Sequence, residues 1–156
     1  YVDYAGIMAA LPDSVHVLAN SHARLRTSLG TFVLAGVMDR KARARGLPGP
    51  DIEKALSGLS GDGAIGPVLL MSHRPAGWSR NAARGVVLQI CGHTHGGQFI
   101  WNRLFLRLIG RRYLHGLFER NSSLLWVGSG ASQWFGFPLR VGVPPEIAVL
   151  NLHAGS

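Results

Sequence analysis

Two short apolar runs, VLLMSHRP at residues 68–75 and VVLQICGHTHGG at residues 86–97, constrain this chain more than any other feature. Each begins as a buried strand would, and each ends on histidine. The segment between them is polar and rich in Ala and Arg up to about Ala83, which reads as a short helix. So brief a crossover favours two strands that are neighbours in one sheet. In an open α/β sheet the loops at the carboxyl ends of the strands line the ligand crevice, so His73, His93 and His95 are predicted to converge there.

The rest of the chain supplies elements around this unit. VHVLA at residues 15–19 reads as a short strand, and residues 24–39 as a hairpin turning at Ser28-Leu29-Gly30. KARARGLPGP is a loop by its Gly and Pro content, and DIEKALSGL from Asp51 is a short surface helix with an acidic N-cap. LLWVGSG is a strand running into a glycine turn, and EIAVLNL from Glu146 is a closing strand. There is no internal repeat, linker or low-complexity block, so residues 1–156 read as one domain or one contiguous part of one. A chain that opens on Tyr1, with neither an initiator Met nor a signal peptide, reads as a piece of a longer protein.

Composition narrows the class. With 47% hydrophobic and 15% charged residues, the chain carries more apolar material than a disordered segment. A formal charge of +8 favours anionic partners such as phosphates, nucleic acid or an acidic membrane surface. Cys91 is the single cysteine, which excludes an internal disulfide, and its apolar strand predicts burial. Arg103, Arg107 and the Arg111-Arg112 pair break the longest apolar stretches, so no spanning helix is expected.

GHTHGG is a poor core and a good metal loop. Neutral imidazole is a common ligand for zinc, manganese and iron, and His-x-His can bring two ring nitrogens near one or two ions. The flanking glycines let the main chain approach without Cβ clashes. Spacing excludes two rival metal folds. The binuclear β-lactamase type continues with x-Asp-His, where Gly96-Gly97-Gln98 stand here, and a cupin wants Glu where Phe99 and Ile100 stand.

SHRP at residues 72–75, CGHTHGGQ at residues 91–98, the tail GFPLRVGVPPEIAVLNL at residues 136–152 and GVMD at residues 36–39 together resemble the C-terminal half of a calcineurin-like metallophosphoesterase. The tail is most similar to a bacterial branch whose members often carry an N-terminal membrane helix, so membrane association in a bacterium is the localisation it implies. The resemblance implies an α/β fold: the C-terminal part of a two-sheet β-sandwich flanked by helices, a four-layer arrangement incomplete in this chain. It implies two divalent ions (Mn, Fe or Zn), His73 and His93 on one and His95 on the other, bridged by a hydroxide that attacks a phosphomonoester or phosphodiester in line. Paired cations suit that chemistry by lowering the pKa of water and neutralising phosphate charge.

The family's remaining ligands come from an Asp-x-His, a Gly-Asp-x-x-Asp and a Gly-Asn-His motif, none of which is present. Asp13 to His16 is too widely spaced, Gly61-Asp62-Gly63-Ala64-Ile65 lacks the second Asp, and Asn20-Ser21-His22 has an inserted Ser. All three read as loop or strand-edge residues. Three neutral imidazoles with no bridging carboxylate cannot hold two ions. The bridging carboxylate and the histidine assisting catalysis are therefore expected upstream of Tyr1, no catalytic residue is expected in this chain, and its partner is the missing N-terminal half of the same domain.

Arg74 and Arg140 are the candidates to contact a substrate phosphate, Arg140 with the alternative of pinning the Pro144-Pro145 turn. His115 and His153 lack partners at useful spacing and read as ordinary surface residues. Residues 99–112, with Trp101, Leu104, Phe105, Leu108 and Ile109 among four arginines, suit packing within the domain, a lid over the site or a face lying on an anionic membrane. Two alternatives to the hydrolase stand: a non-catalytic basic module on nucleic acid or membrane, and a mononuclear domain with one ion on three histidines. No specific nucleic acid is expected.

Overall fold

The computed structural model describes residues 3–28, 30–59, 66–132 and 139–153. Six strands form one mixed sheet: β1 (Ser21–Thr27), β2 (Gly30–Gly36), β3 (Val68–Met71), β4 (Val86–Cys91), β5 (Gly116–Arg120) and β6 (Ser123–Val127), in the spatial order β1-β2-β3-β4-β6-β5. The inner strands β2, β3, β4 and β6 run parallel, and an antiparallel hairpin closes each edge. Four helices accompany the sheet: α1 (Tyr4–Ala10), α2 (Ile52–Ala55), α3 (Trp78–Ala82) and α4 (Ile100–Leu108).

Side-chain alternation along the inner strands serves both faces. Val33, Ala35, Val68, Leu70 and Val86 pack on one face against Ile52, Leu56 and Leu59 of the α2 region. Cys91, Leu125 and Val127 pack on the other against Trp78 of α3. Each large side chain so buried contributes about 1.5–3 kcal/mol. Two polar groups on the α3 face are satisfied. Gln89 accepts from Asn81 Nδ2 at 2.8 Å and donates to the Arg74 carbonyl at 3.2 Å, and Trp78 Nε1 donates to Ser123 Oγ at 3.0 Å.

The hairpin, the Asp51-capped helix and the strands after Pro67, Gly85 and Ser122 follow the sequence reading. Two expectations do not. Residues 15–19 form no strand, because they have no ladder partner among the described residues. EIAVLNL forms no strand either. It has no ladder partner among the described residues, and Ile147 and Val149 stand 87% and 81% exposed. The second sheet of the resembled sandwich is not among the described residues, whereas the α/β character and the flanking helices are.

Candidate functional site

The strand order aligns one row of loops. Asp39 follows β2, His73 follows β3, His93 and His95 follow β4, and Ser129 follows β6, all at the carboxyl edge of the parallel strands. Backbone bonds continue the ladder past the strand ends and fix these loops together: Val37 N to Met71 O at 3.2 Å, Ser72 N to Ile90 O at 3.0 Å, Gly92 N to His73 O at 3.3 Å and Gly128 N to Cys91 O at 2.9 Å. The expected convergence of His73 and His93 is met in the geometry. Their rings lie 4.8 Å apart, with His93 Nδ1 3.0 Å from His73 Nε2.

A carboxylate stands there too, which sequence reasoning missed. Asp39 Oδ2 accepts from Arg74 Nε at 2.8 Å, and Arg74 Nη1 in turn faces His93 Nε2. This chain of contacts fixes the protons. A guanidinium only donates, so His93 Nε2 accepts, His93 Nδ1–H donates to His73 Nε2, and His73 carries its proton on Nδ1. Burial first, then the charges of Arg74 and His73, push His93 down to about 4. His73 is also held below its ordinary value, by burial and against the pull of Asp39. Burial raises Asp39, but the Lys41 N–H and Arg74 outweigh it and leave the carboxyl below its ordinary range. The signal for Asp39 was GVMD at the end of a strand neighbouring β3.

The GHTHGG loop itself is strained. His93 and His95 have φ of 69° and 48°, a left-handed backbone that costs an L-residue about 1–2 kcal/mol and collects at functional sites. Gly96 and Gly97 answer a packing need: a Cβ on Gly96 would sit 2.6 Å from Val143 Cγ1, and one on Gly97 2.9 Å from Arg103 Cβ. Nothing lies closer than 3.9 Å to a Cβ built on Gly92. The glycines thus let the loop press on its own domain.

His95 makes contacts of its own. Its Nδ1 lies 3.3 Å from the Ser132 carbonyl and 3.4 Å from Arg140 Nη2, alternatives that require opposite tautomers. Arg140 donates to the carbonyls of Ser129 and Gly130 at 2.9 and 3.0 Å, of Pro144 at 3.3 Å and of Ser132, so its guanidinium ties the loop after β6 to the Pro144 turn. His115 has a partner after all: Glu146, 31 residues on, meets its Nε2 at 2.7 Å and also accepts from the Ser129 N–H at 3.3 Å. Asn20 clamps Met38, Gly49 and Asp51, and His22 Nδ1 contacts the Ala55 carbonyl, so both are engaged structurally. Asp62 lies outside the described residues.

Zinc–imidazole bonds of about 2.0–2.1 Å in tetrahedral geometry place two nitrogens on one ion about 3.3 Å apart. The hydrogen-bonded His73 Nε2 and His93 Nδ1, at 3.0 Å, would need only a small separation to reach that edge. Two ligands are not a site, however. Among the described residues no group of three or more His, Cys, Asp or Glu is arranged to hold a metal ion. Beside His93 opens a cavity of about 690 Å³, whose lining includes Arg40, Arg74, Arg80, Arg111 and Arg112 and no acidic side chain.

Relatives point to the class of protein. The chain is 40% identical over 126 residues to an uncharacterized metallophosphoesterase of Helicobacter pylori, a match covering 80% of this chain and 33% of that protein. It is 33% identical over 111 residues to the uncharacterized metallophosphoesterase YkuE of Bacillus subtilis, covering 69% of this chain and 37% of that protein. A Danio rerio transmembrane protein with metallophosphoesterase domain is 29% identical over 145 residues, covering 88% and 32%. The chain belongs to the calcineurin-like metallophosphoesterase family. It spans about a third of the length of the curated relatives it matches. No family model matches it, and no solved structure does.

Proposed function

We propose that this chain is the C-terminal portion of a metallophosphoesterase domain and supplies part of a divalent-metal site that hydrolyses phosphomonoesters or phosphodiesters. The observation that carries the reading is the 3.0 Å approach of His73 Nε2 to His93 Nδ1 at the carboxyl edge of adjacent parallel strands. His73 and His93 would hold one ion and His95 the other. Such ions supply positive charge to the phosphoryl oxygens and a water acidic enough to serve as nucleophile near neutral pH. Arg74, between Asp39 and His93, is positioned to exchange its carboxylate partner for a substrate phosphate in the same charged geometry. The arginines of the adjoining cavity draw the anion in.

Turnover of a nitrophenyl phosphodiester and of its monoester by the full-length protein, stripped of metal and reloaded with manganese or zinc, tests the proposal. Metal-dependent turnover that His93→Ala abolishes is expected, and turnover unchanged by that substitution refutes it. The mononuclear alternative, one ion on all three histidines, would need His95 Nδ1 to leave the Ser132 carbonyl and Arg140. Metal stoichiometry in the full-length protein, two ions against one, separates the readings.

A further inference from the structure

Helix α4 is built the wrong way round for a soluble domain. Trp101, Leu104, Phe105, Leu108 and Ile109 recur at the i, i+3, i+4, i+7, i+8 spacing of one helix face, and all stand between 56% and 77% exposed. In an ordinary surface helix that stripe faces the core. Here the side carrying Arg103 and Leu106, the two half-buried residues of the helix, is held to the domain instead. Asn102 Nδ2 donates to the Gly97 carbonyl at 2.8 Å, and the Arg103 stem packs against Gly97. The Ile100 N–H donates to the Val141 carbonyl at 3.0 Å, which anchors the first turn. The orientation is therefore set by specific contacts, and the large apolar stripe is left facing outward. Contiguous apolar surface of this kind marks an interaction site.

Charge identifies what it meets. No Asp or Glu occurs between Asp62 and Glu119, while Arg103, Arg107, Arg111 and Arg112 lie within and just after the helix. Two copies meeting through this face would bring those cations together, which disfavours self-association. An acidic phospholipid surface answers both features: acyl chains take the apolar stripe, and lipid phosphates take the guanidinium groups. Trp101 suits the boundary, its ring apolar and its N–H able to reach a headgroup or water. At nine residues α4 cannot cross a bilayer, and no helix among the described residues is long and apolar enough to do so. We infer that α4 lies in the plane of an acidic membrane, with its Trp101-Leu104-Phe105-Leu108-Ile109 face inserted below the headgroups. Leu106 and the residues after α4 also line the cavity beside His93, so docking holds that cavity at the lipid surface.

The inference stands apart from the phosphoesterase reading and is tested by binding alone. Full-length protein is mixed with vesicles of phosphatidylcholine with or without phosphatidylglycerol, containing brominated acyl chains that quench inserted tryptophan. Trp101→Phe removes one of the four tryptophans of residues 1–156, and the difference from the unsubstituted protein isolates its signal. Quenching that requires phosphatidylglycerol and disappears in Trp101→Phe is expected. Leu104→Ser with Leu108→Ser should weaken vesicle binding by about tenfold or more, from the apolar area lost. Because the readout is Trp101 itself, attachment elsewhere in the protein does not contribute. Trp101 that stays unquenched in acidic vesicles overturns the inference. So does a lowered melting temperature in the serine variant with unchanged Trp101 quenching, which would mean that protein covers the face. A dimer in sedimentation equilibrium that the serine variant dissociates overturns it in favour of a second copy.

Discussion

The contacts around His93 set up a competition. For His93 Nδ1 to take an ion beside His73, its proton must move to Nε2, where it would meet the donor Arg74 Nη1. Metal loading and the Arg74–His93 contact therefore exclude each other. Arg74→Met in the full-length protein should tighten manganese binding on the order of tenfold, the worth of one charged hydrogen bond, while raising KM for a phosphoester. Calorimetric titration of the stripped protein measures the first effect, and unchanged affinity would refute the competition. Asp39 should titrate closer to its ordinary 3.8 in the same variant, since a lowering partner is gone. His95 differs: it is half-buried in the loop after β4 and belongs to neither core cluster. His95→Ala should remove most activity and leave the melting temperature within about 1 °C, as substitutions outside a packed core do. Wild-type turnover with wild-type metal content would sink its assignment as a ligand.

The loop after β6 and the tail behave as one element through Glu146. Its carboxylate joins His115 at 2.7 Å to the Ser129 backbone and hydroxyl at 3.3 and 3.0 Å. Burial raises its pKa, but these partners outweigh it and hold it below the ordinary 4.5. A carboxylate whose folded pKa is depressed contributes stability that is present above its unfolded pKa and lost as pH falls through the folded one. Glu146→Gln should therefore cost about 1–2 kcal/mol at neutral pH, with the two melting curves converging once the solution drops well below pH 4.5. A difference that persists there would assign the loss to packing. The same element marks how far sequence carries. The meeting of His73 with His93 was legible because one follows the end of β3 and the other the end of β4, a local pattern. Asp39 and the His115–Glu146 pair were not, because their meetings depend on sheet order and on a contact across 31 residues. EIAVLNL was legible as a strand pattern, yet a pattern becomes a strand only when a ladder partner is present.

The described fold leaves apolar surface beyond α4. No residue of α1 is buried, and Ile147 and Val149 project from the tail with no strand beside them. Exposed, strand-competent segments invite pairing between chains, so residues 1–156 produced alone should aggregate at concentrations where the longer protein does not. The same chain should show no metal-dependent hydrolysis. Two ions need about four ligands each, whereas one facing histidine pair, a third histidine beside Arg140 and an aspartate tied to Arg74 are what the described residues provide. Ligands on a loosely supported scaffold bind ions weakly, so metal should be lost on gel filtration. Adding the remainder of the longer protein as a separate chain should restore some turnover if the parts can pair, by returning carboxylates to the edge where Asp39, His73 and His93 meet. The measurement is metal-supplemented phosphodiester turnover of the chain alone against its His93→Ala control, each repeated with the added part. Turnover by the chain alone that the substitution removes would overturn the prediction. Asp39 would then be the carboxylate released from Arg74 to complete the site.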